Sequence, residues 1–176
     1  MPGLEIRPTS DKLRETLFNV LCAGNKDALV GTTFLDLFAG TGAVGIEALS
    51  RGAGKVVFVE SSSKATALIR KNLESIGAES GFSVLRSDVT TALRKMEASG
   101  RAAAVVFLDP PYAGQALYQG TLEALSNWGG VTAETLVIAE HDKRFDPGEE
   151  VGLLRRYRKL AQGDATLSFY KKKSEG

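Results

Sequence analysis

From Phe34 onward, short apolar runs alternate with stretches of helical pattern, and this alternation restricts the fold more than any other feature of the chain. Phe34 to Phe38, Val56 to Val59, Phe82 to Leu85, Ala103 to Leu108 and Leu136 to Ala139 have the length and apolar content of buried strands. Between them, Ala43 to Arg51, Lys64 to Ile76, Val89 to Met96 and Ala116 to Leu125 read as helices. Strands that alternate with helices in this way form a parallel, doubly wound α/β sheet, because each parallel crossover needs a connection long enough to return across the sheet. Upstream, Ser10 can cap a helix whose apolar positions are Leu13, Leu17, Val20 and Leu21, giving a helix over about 10–24. After Asp142 the pattern becomes β-prone. Leu153 to Leu160 and Ala165 to Tyr170, separated by Ala161-Gln162-Gly163-Asp164, predict a closing antiparallel hairpin.

At 176 residues and 43% hydrophobic content, the sequence predicts one domain over 1–176. The net charge of +1 provides no global field for nucleic acid or membrane, so any basic surface must be local. The single Cys22 sits beside Val20 and Leu21 as a packing residue, and the single His141 has acidic neighbours and reads as a surface residue. Together they offer no typical zinc or soft-metal site, so no metal is expected. No stretch approaches the roughly 18 apolar residues of a membrane span, and Met1-Pro2-Gly3-Leu4-Glu5 has no signal-peptide layout. A cytoplasmic location is expected.

Two motifs carry the chemistry. Asp109-Pro110-Pro111-Tyr112 follows the fourth apolar run, and two prolines end a strand at the rim of a sheet, where ligands sit. A carboxylate, a stiff turn with unclaimed carbonyls and an aromatic ring suit a planar amine. Upstream, Gly40, Gly42 and Gly45 satisfy the G-x-G-x-x-G spacing between the first strand and its helix, and Glu60 ends the next strand. This pair of features fits an adenosine ribose, a need that NAD and S-adenosylmethionine share.

Asp36 favours the second cofactor, because a carboxylate inside the first strand repels a pyrophosphate and attracts a sulfonium with an ammonium tail. Asp88, after the third strand, can accept from an adenine amine or cap the following helix. The proline turn has no evident role in hydride transfer. Hydrogen bonds from an exocyclic amine to the Asp109 carboxylate and the Pro110 carbonyl, with Tyr112 stacked on the base, would instead prepare that amine for methylation. Three alternatives stay open: a methyltransferase for another nucleobase amine such as DNA adenine N6, an NAD-dependent oxidoreductase, and a silent RNA-binding module.

The segments Arg7-Pro8-Thr9-Ser10-Asp11, Arg14-Glu15-Thr16-Leu17-Phe18, Asp36-Leu37-Phe38-Ala39-Gly40-Thr41-Gly42 and Asp109-Pro110-Pro111-Tyr112 together resemble the RsmD family. Its members are bacterial S-adenosylmethionine-dependent methyltransferases acting on the exocyclic N2 of a guanine in 16S ribosomal RNA. The resemblance implies a class I, Rossmann-like methyltransferase with a seven-stranded sheet, a cofactor half over about 30–100 and a target-base half over about 101–176. It places Asp36, Phe38, Gly40, Gly42, Glu60 and Asp88 around the cofactor, with Thr9 and Arg14 near its amino-acid end. Asp109, Pro110, Pro111 and Tyr112 fall at the target base. It further implies a monomer working on 16S rRNA within a small subunit or an assembly intermediate. Family members usually carry a basic, glycine-containing stretch before the Arg-Pro-Thr segment, which here starts almost at once. If that stretch contacts RNA, a chain without it should bind cofactor normally and methylate weakly. Arg7, Lys12 and Arg14, and Arg155, Arg156, Arg158 and Lys159 of the late hairpin, are candidate phosphate contacts. The hairpin charges serve equally to discourage edge pairing.

Overall fold

The computed structural model describes residues 10–111 and 114–174. Thr9 and Tyr112, both candidate site residues, and Arg7 lie outside the described residues. The chain runs α1 (Asp11–Leu21), β1 (Thr33–Leu37), α2 (Ala43–Ser50), β2 (Lys55–Glu60), α3 (Ser63–Ser75), β3 (Phe82–Arg86), α4 (Val89–Glu97), β4 (Val105–Leu108), α5 (Gln115–Ser126) and β5 (Leu136–Asp142). It closes with β6 (Glu150–Val151), β7 (Leu154–Gln162) and β8 (Ala165–Lys172).

The strands form one sheet in the order β3-β2-β1-β4-β5-β8-β7-β6. β1 to β5 pair in parallel, and β8 returns antiparallel to β5 with Asp142 opposite Ala165. The seven strands expected from the sequence are present; the two-residue β6 adds an eighth at the edge, antiparallel to β7. Strand alternation divides the core into two layers. Leu13, Leu17 and Phe18 of α1, Val44 and Ala48 of α2 and Ile69 and Leu73 of α3 cover the face that carries Phe34, Phe58, Phe107 and Phe169. On the other face Ala92 and Leu93 of α4 and Leu122 and Leu125 of α5 pack over Leu35, Leu37, Val106 and Tyr170.

Local chemistry sets the boundaries. The Ser10 hydroxyl accepts from the Leu13 N–H at 3.2 Å and the Ser62 hydroxyl from the Ala65 N–H at 3.1 Å, which fixes the starts of α1 and α3. α1 ends at Leu21, short of the expected residue 24: the Cys22 N–H makes the last helical bond, to the Phe18 carbonyl at 2.9 Å, and the Ala23 N–H turns back to the Val20 carbonyl at 3.3 Å. β7 continues to Gln162 and shortens the hairpin turn to Gly163-Asp164, with Gly163 at φ +61°.

His141 departs from the surface position its neighbours suggested. It is only 3% exposed, in β5 on the α5 face, with Nε2 2.7 Å from Ser168 Oγ and Nδ1 3.0 Å from the Asp142 carbonyl oxygen. The Tyr118 ring meets it edge-on. Burial holds its pKa below the ordinary histidine value, so the ring is a neutral core group near pH 7.

Candidate active site

The sheet order reverses direction between β1 and β4, and the crevice at the carboxyl ends of such a pair is where a doubly wound sheet receives ligands. A cavity opens there, lined by Asp36, Phe38, Ala39, Thr41, Ala43, Val44, Phe107 and Asp109. Asp36 pairs in register with Phe107, so Asp36 and Asp109 stand on the same side of adjacent strands. The two motifs legible in the sequence thus converge on one cavity.

The turn after β1 is built to bring backbone close to a ligand. Phe38, Gly40 and Gly42 have φ of +58°, +59° and +81°. A phenylalanine in the left-handed region is strained, and its place in the cavity wall suggests that the strain is retained for the site. Glu60 braces the turn from β2: Oε1 accepts the Gly40 N–H at 2.9 Å and Oε2 accepts the Ser62 N–H at 3.0 Å. Each carboxylate oxygen has capacity for a further donor, such as a ribose hydroxyl. Asn72 of α3 adds a brace that the motifs did not reveal, donating to the Thr41 carbonyl at 2.9 Å. The cue was an amide at helical spacing from Ile69 on the packed side of α3, which is too common a pattern to point to a site.

Gly42 is the N-cap of α2 and has no side chain to cap with. Asp36 does this from the sheet, its Oδ2 accepting the Gly45 N–H at 2.9 Å. Gly45 is required for that approach: a Cβ there would lie 2.4 Å from Cε2 of the buried Phe58 ring. Burial raises the Asp36 carboxyl well above the ordinary aspartate pKa. The Gly45 N–H opposes this, while the charges of Asp109 and Glu60 push further upward. Among the described residues the cavity wall holds two carboxylates and no cation, a lining that disfavours a pyrophosphate and favours a ligand that brings positive charge.

The remaining candidates take other positions. Asp88 caps α4, its carboxylate accepting the Thr91 N–H at 2.8 Å and the Thr91 hydroxyl at 3.0 Å, and those bonds hold its pKa down. Arg14 is outside the cavity wall and pairs with Asp11 at 3.1 Å and Glu47 at 4.0 Å. Pro110 is buried and Pro111 exposed at the rim. The Pro111 carbonyl accepts the Gly114 N–H at 2.7 Å, so the turn's carbonyls are not all unclaimed as the sequence suggested. No group of three metal-ligating side chains is gathered among the described residues, and no helix there is long and apolar enough to cross a membrane.

The late hairpin separates its cations. Arg155 meets Glu150 at 2.8 Å, while Arg156 forms a fork with Asp146 at 2.7 and 3.2 Å and is largely buried. That pairing, together with the Gly148 N–H, holds the Asp146 carboxyl below the usual range. Arg156→Glu should therefore lower the thermal midpoint by several degrees with or without RNA, because it sets two carboxylates against each other. An unchanged midpoint by calorimetry would contradict the structural role.

The family model described as conserved hypothetical protein 95 matches residues 1–171. The ribosomal RNA small subunit methyltransferase D of Escherichia coli K12 is 31% identical over 175 residues, covering 99% of this chain and 83% of that one. The protein of the same name from Haemophilus influenzae is 34% identical over 154 residues, with 85% and 76% covered. Among solved structures, the yhhF protein of Escherichia coli superposes with a TM-score of 0.79 at 28% identity, covering 98% of this chain and 92% of that one.

Proposed function

The chain belongs to the RsmD family of ribosomal RNA small subunit methyltransferases and has the class I methyltransferase fold, and from that membership we propose what its site does. The protein transfers a methyl group from S-adenosylmethionine to the exocyclic N2 amine of a guanine in 16S rRNA. It acts as a single-domain monomer in the cytoplasm, on the small subunit or an assembly intermediate. The observation that carries this reading is the placement of Asp36 and Asp109 in one cavity beside the glycine turn.

S-adenosylmethionine, when bound, supplies an electrophilic methyl group on a positively charged sulfur. Asp36 faces that charge and the ammonium of the amino-acid tail, with Oδ2 already fixed by the Gly45 N–H. Gly40 and Gly42 let the backbone approach, and Glu60 accepts from the ribose while it braces the turn. Asp109 and the Pro110 carbonyl accept the two amine hydrogens of the base, with Tyr112 assigned to stack on its ring. Those bonds draw the nitrogen away from conjugation with the ring and turn its lone pair toward the methyl. The nitrogen's proton is lost to Asp109 or to water after transfer.

The test is transfer of labelled methyl to small-subunit particles from cells lacking their own enzyme, with the product nucleotide identified by mass spectrometry. N2-methylguanosine at a single position is expected; N6-methyladenosine, or no transfer with cofactor bound, would overturn the assignment of the target.

Asp36 gives a pH signature. Its folded pKa lies above its unfolded value, so the folded state holds the proton more tightly. Stability therefore falls as pH rises from the ordinary aspartate range through that raised value. Asp36→Asn keeps an acceptor for the Gly45 N–H and should raise the neutral-pH midpoint, with the gain vanishing in acid. The same variant should weaken cofactor affinity by tenfold or more, and wild-type affinity should fall as pH drops through the raised value. Titration calorimetry across pH, with a neutral thioether analogue as the control, checks both signs.

A further inference from the structure

β7 carries Arg155-Arg156-Tyr157-Arg158-Lys159, and its register slips between Arg156 and Arg158, so Tyr157 is the extra residue of a β-bulge. Without the bulge, alternation would send Arg158 to the α5 face, where Arg156 already meets Asp146 and Lys159 stands opposite Ser168. With it, Tyr157 and Arg158 both lie on the α1 face. The Tyr157 ring is 6.2 Å from that of Phe169, and the Arg158 guanidinium is 5.7 Å from the Phe169 ring centre. From β8, the Lys171 ammonium stands 5.8 Å from the Tyr157 ring centre. α1 reaches the hairpin at its turn end, through a hydrogen bond from Thr16 to Gln162. Tyr157 remains 51% exposed, and Arg158 and Lys171 are exposed with it.

We propose that Tyr157, Arg158 and Lys171 form a docking surface for the ribosomal RNA strand flanking the target nucleotide, with phosphates at the two cations and a base against the tyrosine ring. The surface deepens the reading of the substrate as RNA and rests on it. A half-exposed aromatic ring between two cations is the arrangement by which proteins hold single-stranded nucleic acid, in which stacking and phosphate contact act side by side. The neighbouring acid is occupied: Glu150 meets Arg155 at 2.8 Å and Lys173 at 3.3 Å. The group shares the sheet face of Asp36 and Phe107, because Phe107 and Phe169 lie in one core layer. Three strand spacings and two residues along the strand separate Arg158 from Asp109, roughly 16 Å, a span that a few nucleotides can cover. The bulge thus moves a cation off a crowded face and onto the face that holds the cavity.

The test pairs direct binding of 16S rRNA, across a series of salt concentrations, with methyl transfer to small-subunit particles. Arg158→Glu combined with Lys171→Glu should raise the KM for RNA tenfold or more, with kcat, cofactor affinity and thermal midpoint unchanged. The slope of log affinity against log salt should become shallower by about 1.4, roughly 0.7 for each lost phosphate contact of a single strand. Tyr157→Ala should weaken binding about tenfold, and Tyr157→Phe should restore it. Unchanged binding and salt slope in all variants would overturn the surface while leaving the proposed methylation intact. A defect on particles but not on free rRNA would assign the surface to a ribosomal protein and overturn RNA as the occupant. If the wild type binds rRNA, the variants weaken that binding and no N2-methylguanosine forms, the surface stands and the proposed reaction fails.

Discussion

Asp109→Ala should reduce methyl transfer by about a thousandfold or more while cofactor affinity stays within about tenfold of wild type. The residue follows β4 directly and lines the cavity with Asp36, and the proposed chemistry asks one group to hold the amine, direct its lone pair and stand ready for its proton. Losing a preorganised partner of a reacting group in a closed site costs two to three orders of magnitude in rate, and orientation adds to that loss. Asp109→Asn keeps one carbonyl oxygen but replaces the other oxygen with a donor, so partial activity is expected. Single-turnover transfer with saturating cofactor separates the effects. A fall in rate at unchanged affinity supports the amine-holding role, whereas a fully active Asp109→Ala enzyme would remove Asp109 from the chemistry.

Gly45→Ala is expected to have the largest effect on stability. Its new Cβ would lie 2.4 Å from Cε2 and 2.9 Å from Cζ of Phe58. Phe58 is fully buried in β2 between the sheet and α2, so neither group can move aside without shifting the helix. Overpacking of this kind costs about 1–3 kcal/mol and sometimes more. In a chain of this size that corresponds to a fall in thermal midpoint of roughly 2–12 °C. Because the Gly45 N–H also holds the Asp36 carboxylate, cofactor affinity should fall along with stability. Phe58→Leu in the same background should recover part of the midpoint, although by itself it removes buried surface. A double-mutant cycle reads the coupling directly. If Gly45→Ala melts like wild type, close packing is not the reason for glycine at this position.

The parallel sheet, the closing hairpin, the glycine turn after β1 and the end of β4 at Asp109 are all legible in the sequence. Each of these is encoded locally, in the spacing of apolar residues, the dihedral freedom of glycine and the inability of proline to continue a strand. That Asp36 and Asp109 share a cavity follows from the strand order, which sets β1 beside β4. Tertiary structure alone decided which polar groups are engaged and by what. Asp88 reads in the sequence as a ligand acceptor or a helix cap, and only the fold shows the Thr91 N–H on its carboxylate. His141 and Arg156 have the composition of surface residues, yet one is buried against Ser168 and the other is tied to Asp146. The two-residue β6 is too short to leave a periodic trace, and the bulge at Tyr157 depends on how β7 aligns with β8. Charge, burial and pairing are settled by neighbours distant in the chain, so a pattern read along the chain locates the motifs but not the state of their carboxylates or the partners of the hairpin cations.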